Sequence, residues 1–168
     1  MRVLISILTF LASVSPVYAD WQVFRNSGNR SGAYAILSIT LYDQPGSHRA
    51  IDVDFSPNLG CSAGLGYMEF TGSAWGSPMA SQATPAGELK FEIGGKRWVG
   101  QPYIINYSNG LEAFFAPANV ELVNSILAGE IIHAQLNNRL APIEWPPAAN
   151  GAIASQQAKN ICIQDLVQ

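Results

Sequence analysis

From Ala35 to Tyr42 the side chains fall into two alternating sets, Ala35, Leu37, Ile39 and Leu41 against Ile36, Ser38, Thr40 and Tyr42. Ile51, Val53 and Phe55 alternate in the same way with Asp52 and Asp54. A period of two is that of a β-strand, whose successive side chains point to opposite faces. The second strand is therefore expected to have one wet side, with both aspartates on the solvated face. Asp43 to Gly46 stops the first strand, Ser56 to Gly60 turns the chain, and Tyr67 to Phe70 reads as a short strand. Leu89–Ile93 and Lys96–Val99 flank Gly94-Gly95, and two glycines supply the positive φ angles of a two-residue primed turn. That turn sets the register: Ile93 opposes Lys96, Glu92 opposes Arg97 as an ion pair, and Phe91 opposes Trp98 on the core side. Tyr103–Tyr107 and Leu111–Phe115 around Asn109-Gly110 predict a second hairpin.

After residue 118 the period changes. Asn119 is placed to cap a helix in which Val120, Val123, Ile126 and Leu127 recur at helical spacing, and Gly129 supplies its left-handed stop. Glu130–Leu136 reads as a strand, Asn137-Asn138 as a turn, and Arg139–Trp145 as an edge strand, because Pro142 cannot donate to a central ladder. Asn150 and Gly151 open a second helix with Ala154, Ala158 and Cys162 along one side. Together these elements predict a mainly β chain, an antiparallel β-sandwich of about seven to nine strands with two short helices.

Ahead of this pattern stand Met1-Arg2, an apolar run from Val3 to Val14, and Ser15-Pro16-Val17-Tyr18-Ala19. A charged start, a short apolar stretch and small residues at 17 and 19 form a secretory signal, with cleavage expected after Ala19. Residues 1–19 are thus read as a signal peptide and 20–168 as a single domain, periplasmic or secreted. No later apolar stretch approaches the roughly 20 residues of a spanning helix, so the exported chain is not expected to span a membrane. The net charge is −3, loss of Arg2 makes it one unit more negative, and no block of like charge exists, which argues against a nucleic-acid partner. Cys61 and Cys162 are the only cysteines, and in an oxidising compartment they are expected to form a disulfide.

Candidate chemistry is sparse. Gly60-Cys61-Ser62-Ala63-Gly64 fits the G-x-S-x-G pattern, and His133 lies downstream, so a small envelope serine hydrolase using Ser62 and His133 is an alternative. The nucleophile elbow needs a strand before the serine and a helix after it, whereas Pro57-Asn58 precedes and Gly64-Leu65-Gly66 follows. Small residues beside a disulfide account for the pattern without catalysis. His48, Asp52 and Asp54 could gather around a hard cation, but aspartates on a wet face are explained by solvation, and no metal or cofactor is expected. Trp98 and Trp145 sit in strand patterns and are expected in the core. Trp75 instead lies in the Ser-, Ala-, Gly- and Pro-rich loop from Gly72 to Gly87, which makes it the candidate binding surface. A carbohydrate-binding module built on exposed aromatics is a further alternative.

From Glu88 to Cys162 the order of motifs resembles the invasion-associated locus B type of periplasmic bacterial protein. Leu89–Gly95 resembles that family's strand and Gly-containing turn, and Asn109–Ala113 its hairpin. Val120–Gly129 with Ile131–Ala134 resembles its helix and strand, and Gly151–Ala154 leading to Cys162 its small-residue helix. The family's cysteine pair around the hairpin is replaced here by residues such as Tyr107 and Leu111. The resemblance implies a small exported β-sandwich, no catalytic residues, and an association with the cell envelope or host contact. The expected function is a non-enzymatic envelope accessory protein that binds another envelope or host protein, with its oligomeric state left open.

Overall fold

The clean alternation around Ile51 forms the middle of a long antiparallel sheet. A computed structural model describes residues 19–25, 32–41, 46–72, 84–85, 87–137 and 142–167. The leader as far as Tyr18, the loop position Trp75, and the first part of the expected 139–145 strand lie outside the described residues. The strands are β1 (Ala19–Asp20), β2 (Gln22–Arg25), β3 (Ala33–Leu41), β4 (Ser47–Phe55), β5 (Ala63–Thr71), β6 (Thr84–Pro85), β7 (Leu89–Ile93) and β8 (Lys96–Gly100). They continue with β9 (Tyr103–Tyr107), β10 (Gly110–Phe115), β11 (Ile132–Leu136), β12 (Ile143–Trp145) and β13 (Ala148–Ala149). Helix α1 spans Val120–Leu127 and helix α2 spans Gly151–Leu166.

Seven strands form the larger sheet in the order β2-β3-β4-β5-β10-β9-β6, and four form the smaller in the order β12-β11-β7-β8. Every pairing in both is antiparallel, and the molecule is a β-sandwich with two helices. β1 and β13 add a short parallel pair. The Gly94-Gly95 turn produces the expected register, Ile93 opposite Lys96, Glu92 opposite Arg97 and Phe91 opposite Trp98. Phe91 is buried and Trp98 packs at the core margin. Glu92 and Arg97, however, form no ion pair with one another; both side chains are exposed, where such a pair gains little.

One continuous core fills the space between the layers. It takes Ile51, Val53, Leu65 and Tyr67 from the larger sheet, Leu89, Phe91, Ile132 and Trp145 from the smaller, and Leu122 and Ile126 from α1. The ring of Tyr67 meets that of Trp145 edge-on at 5.9 Å, tying sheet to sheet. α2 lies against β2, β3 and β4 on a stripe of Gly151, Ala154, Ser155, Ala158 and Cys162, whose small side chains let helix and sheet approach closely. Cys61 is bonded to Cys162 across this contact, as the cysteine count implied. Asp165 adds a polar tie, accepting from Arg25 Nη1 at 2.7 Å and from the Gly32 N–H at 2.9 Å. Asn150 pairs with the backbone of Trp21, accepting from its N–H at 3.0 Å and donating to its carbonyl at 3.2 Å.

The wet side expected for β4 is corrected. Ala50, Ile51, Asp52 and Val53 are all buried, on both faces of the strand, and Asp52 retains only 4% exposure. The cause lies on the neighbouring strand. Gly66 stands opposite Asp52 and has no side chain to hold the carboxyl away. A Cβ at Gly66 would fall 1.9 Å from Asp52 Oδ1, so the carboxyl occupies that space.

Candidate functional site

The antiparallel register sorts the larger sheet into two faces. Val53, Leu65, Tyr67 and Ala113 point into the sandwich. The opposite parity is an outer face: Gln22 and Phe24 on β2, His48, Asp52 and Asp54 on β4, Met68 and Phe70 on β5, Glu112 and Phe114 on β10, and Tyr103, Ile105 and Tyr107 on β9. The outer side of an antiparallel sheet is ordinarily polar. Here its rim exposes aromatics, Phe24 at 43% and Tyr103 at 51%, while Met68 near its centre is buried. His48 stacks on Phe70 with ring centres 5.1 Å apart. Gly64 is covered by the ring of Phe114, which lies 2.6 Å from where a Cβ would stand.

Acidity is concentrated on this face. Burial raises the pKa of Asp52 well above the usual carboxylate range, the charges of Glu112 and then Asp54 raise it further, and the N–H groups of Asp52 and Gly66 oppose this only in part. Its Oδ1 has no hydrogen-bond partner. Glu112 accepts a hydrogen bond from the Tyr107 hydroxyl at 2.9 Å. The face thus combines a buried carboxyl whose pKa is raised, two further carboxyl groups, and an aromatic rim.

Two other polar groupings stand away from this face. Inside the sandwich, buried Arg49 Nε lies 3.1 Å from Glu69 Oε1 with its N–H directed elsewhere, and the Tyr67 hydroxyl donates to the same oxygen at 2.5 Å. Burial and the neighbouring carboxylate hold the Tyr67 phenol above its ordinary pKa. This network is matched charge against charge, and it ties β4 to β5 opposite the acidic face. On the outer side of the smaller sheet, Glu144, His133, Glu92 and Arg97 stand in one row across four strands. His133 Nδ1 is 3.9 Å from Glu144 Oε2, and a cavity of about 230 Å³ there is also lined by Lys90, Gln135 and Pro142.

The residues singled out from sequence are dispersed. Ser62 is exposed, follows a 3₁₀ turn at Pro57–Leu59, and leads into β5 where an elbow would need a helix. No hydrogen bond joins Ser62 to His133, which stands on the outer side of the other sheet. The G-x-S-x-G match accordingly reflects a turn: Gly60 and Cys61 both adopt positive φ, at 59° and 57°, beside the disulfide. Trp21 and Trp145 are buried and offer no flat face to a sugar. Trp75 lies outside the described residues. Among the described residues no group of three or more His, Cys, Asp or Glu side chains could hold a metal ion, and no helix is long and apolar enough to cross a membrane. His48, Asp52 and Asp54 do share one face, but Asp52 is buried and its pKa is raised. Compared with models of known protein families, with curated proteins and with solved structures, the chain has no match.

Sequence reasoning missed the outer face because alternation alone assigns water to the polar parity. The signal was present in Gly64-Leu65-Gly66, a strand segment whose outer positions carry no side chains and so admit those of their neighbours.

Proposed function

We propose that this chain is an exported, non-enzymatic accessory protein of the bacterial envelope that binds another envelope or host protein. Its contact surface is the outer face of the seven-stranded sheet. The observation that carries the proposal is the composition of that face: exposed Phe24 and Tyr103 rim a centre holding Asp52, Met68 and Phe114. Aromatic rims around a partly desolvated centre are characteristic of protein contact surfaces. The leader pattern, the disulfide, and the likeness of residues 88–162 to the invasion-associated locus B type support an address outside the cytosol. An acidic face also repels phosphate backbones, which favours a protein over nucleic acid.

The test is site-specific photocrosslinking in the producing cell's envelope, with a photoreactive phenylalanine at Tyr103 and, as control, at Ile153, an exposed position on α2. A discrete adduct from position 103 and none from position 153 is the expected result. The same adducts from both positions, or none from position 103, would overturn the assignment of this face. Trp75→Ala in the position-103 background tests whether the Gly72 to Gly87 segment shares the contact. Loss of the adduct would extend the surface to that segment, and retention would confine it to the sheet.

A further inference from the structure

Asp52 is out of place in a finished protein interior. It is 4% exposed, its Oδ1 has no hydrogen-bond partner, and its carboxyl lies over Gly66 of β5. A buried acceptor left without a donor costs on the order of 1–3 kcal/mol, so such groups are either paired or functional. Glu112 of β10 stands on the same face one register row away, with Tyr107 donating to its Oε2. The titratable groups described around Asp52 are His48 and Asp54 from β4, Glu112 from β10, and Tyr103 and Tyr107 from β9. β5 contributes Gly64, Gly66, Met68 and Phe70 and no charge. Among the described side chains of this face there is no lysine or arginine; Arg25 and Arg49 both have the opposite parity. Among the described residues the face holds a buried Oδ1 without a hydrogen-bond partner, a second carboxylate oriented by a tyrosine, and no lysine or arginine.

We propose that the ground between Asp52 and Glu112 is a subsite for one basic side chain, the ammonium of a lysine or the guanidinium of an arginine, presented by a partner protein. The subsite rests on the binding face argued above and adds its chemistry. The step is an exchange of cations: the incoming group enters charged, the Asp52 carboxylic acid releases its proton to solvent, and the new carboxylate pairs with the cation beside Glu112. No bond other than that O–H breaks. Met68 and Phe114 line the surroundings with apolar atoms, and the lowered local dielectric strengthens the pairing. An aromatic such as Phe114 also tolerates a cation against its ring.

Hexalysine and hexaarginine peptides titrated calorimetrically into the full protein at pH 7 and physiological salt test this, with hexaserine as the blank. Two buffers of different ionisation heat count the protons. We expect saturable binding of a basic peptide, net release of protons by linkage, and at least a tenfold loss of affinity in Asp52→Asn. Glu112→Gln is expected to lose affinity similarly and, being at a half-buried position, serves if Asp52→Asn does not fold. No binding of either peptide, binding without proton release, or affinity unchanged in the variants would overturn the subsite. Retention of the position-103 crosslink in that case would leave the binding face standing, whereas loss of the crosslink with peptide binding intact would remove the face and leave a free cation site.

Discussion

Burial first, and then the charges of Glu112 and Asp54, raise the pKa of Asp52, and this makes it a proton-linked residue. Because its folded-state pKa lies above the unfolded value, the folded chain holds this proton more tightly than the unfolded chain does. Its contribution to stability is complete below the ordinary aspartate range and is lost as pH rises through the raised folded value. Asp52→Asn keeps the shape and removes the titration. In thermal melts the two proteins are expected to have similar stability near pH 4. The variant should become the more stable as pH rises, by up to about 1–3 kcal/mol, the scale of an uncompensated buried polar group. Parallel curves for the two proteins across the pH range would show that Asp52 does not titrate abnormally. The sequence displayed this aspartate on a perfect alternation and for that reason placed it in water. What overrode the pattern was Gly66 on the next strand, a partner that only the register reveals.

At the scale of elements, local chemistry was the most legible part. The Asn119 side chain accepts from the Leu122 N–H at 3.0 Å, Gly129 adopts a φ of 83°, and α1 runs between them as its spacing required. Asn119→Ala is expected to cost about 1 kcal/mol in urea unfolding, with Asn119→Asp near wild type because aspartate also caps. An equal loss in both variants would mean that the side chain contributes something other than the cap. The Gly94-Gly95 hairpin was legible for the same reason, since a two-residue turn fixes every pair beyond it. The second hairpin forms where expected, but its turn is Ser108-Asn109, one residue before the Asn109-Gly110 signal, and Gly110 pairs with Tyr107 as the first residue of β10. β5 was harder. It was expected only as Tyr67–Phe70 and spans Ala63–Thr71, because Gly64 and Gly66 carry no apolar signal while their backbones still complete the ladder between β4 and β10. Asn150 was expected to open α2, and it stands at the helix start at a φ of 63°. Its side chain serves the backbone of Trp21 instead of the helix, a contact between residues 129 apart that no local pattern encodes.

For the whole molecule the sandwich and its clamp were readable from composition and alternation, while the site was not, since its members come from β4, β5, β9 and β10 and meet only through sheet order. The Cys61–Cys162 bond joins residues 101 apart and fastens α2 to the turn before β5. Under the chain-entropy account, closing a loop of that size stabilises by up to about 4.7 kcal/mol. Replacing both cysteines by serine is expected to lower the unfolding free energy by about 2–4 kcal/mol. The far-UV circular dichroism of whatever remains folded should be unchanged. Stability equal to wild type would show that packing of α2 alone holds that end. The bond also decides how the molecule answers a pull. Tension applied at the two ends of the chain passes from one sulfur to the other and bypasses everything threaded between them. Among the described elements, only β1 to β4, the 3₁₀ turn before Cys61 and the end of α2 can be drawn out, while about 350 Å of potential length, at some 3.5 Å per residue, stays slack behind the bridge.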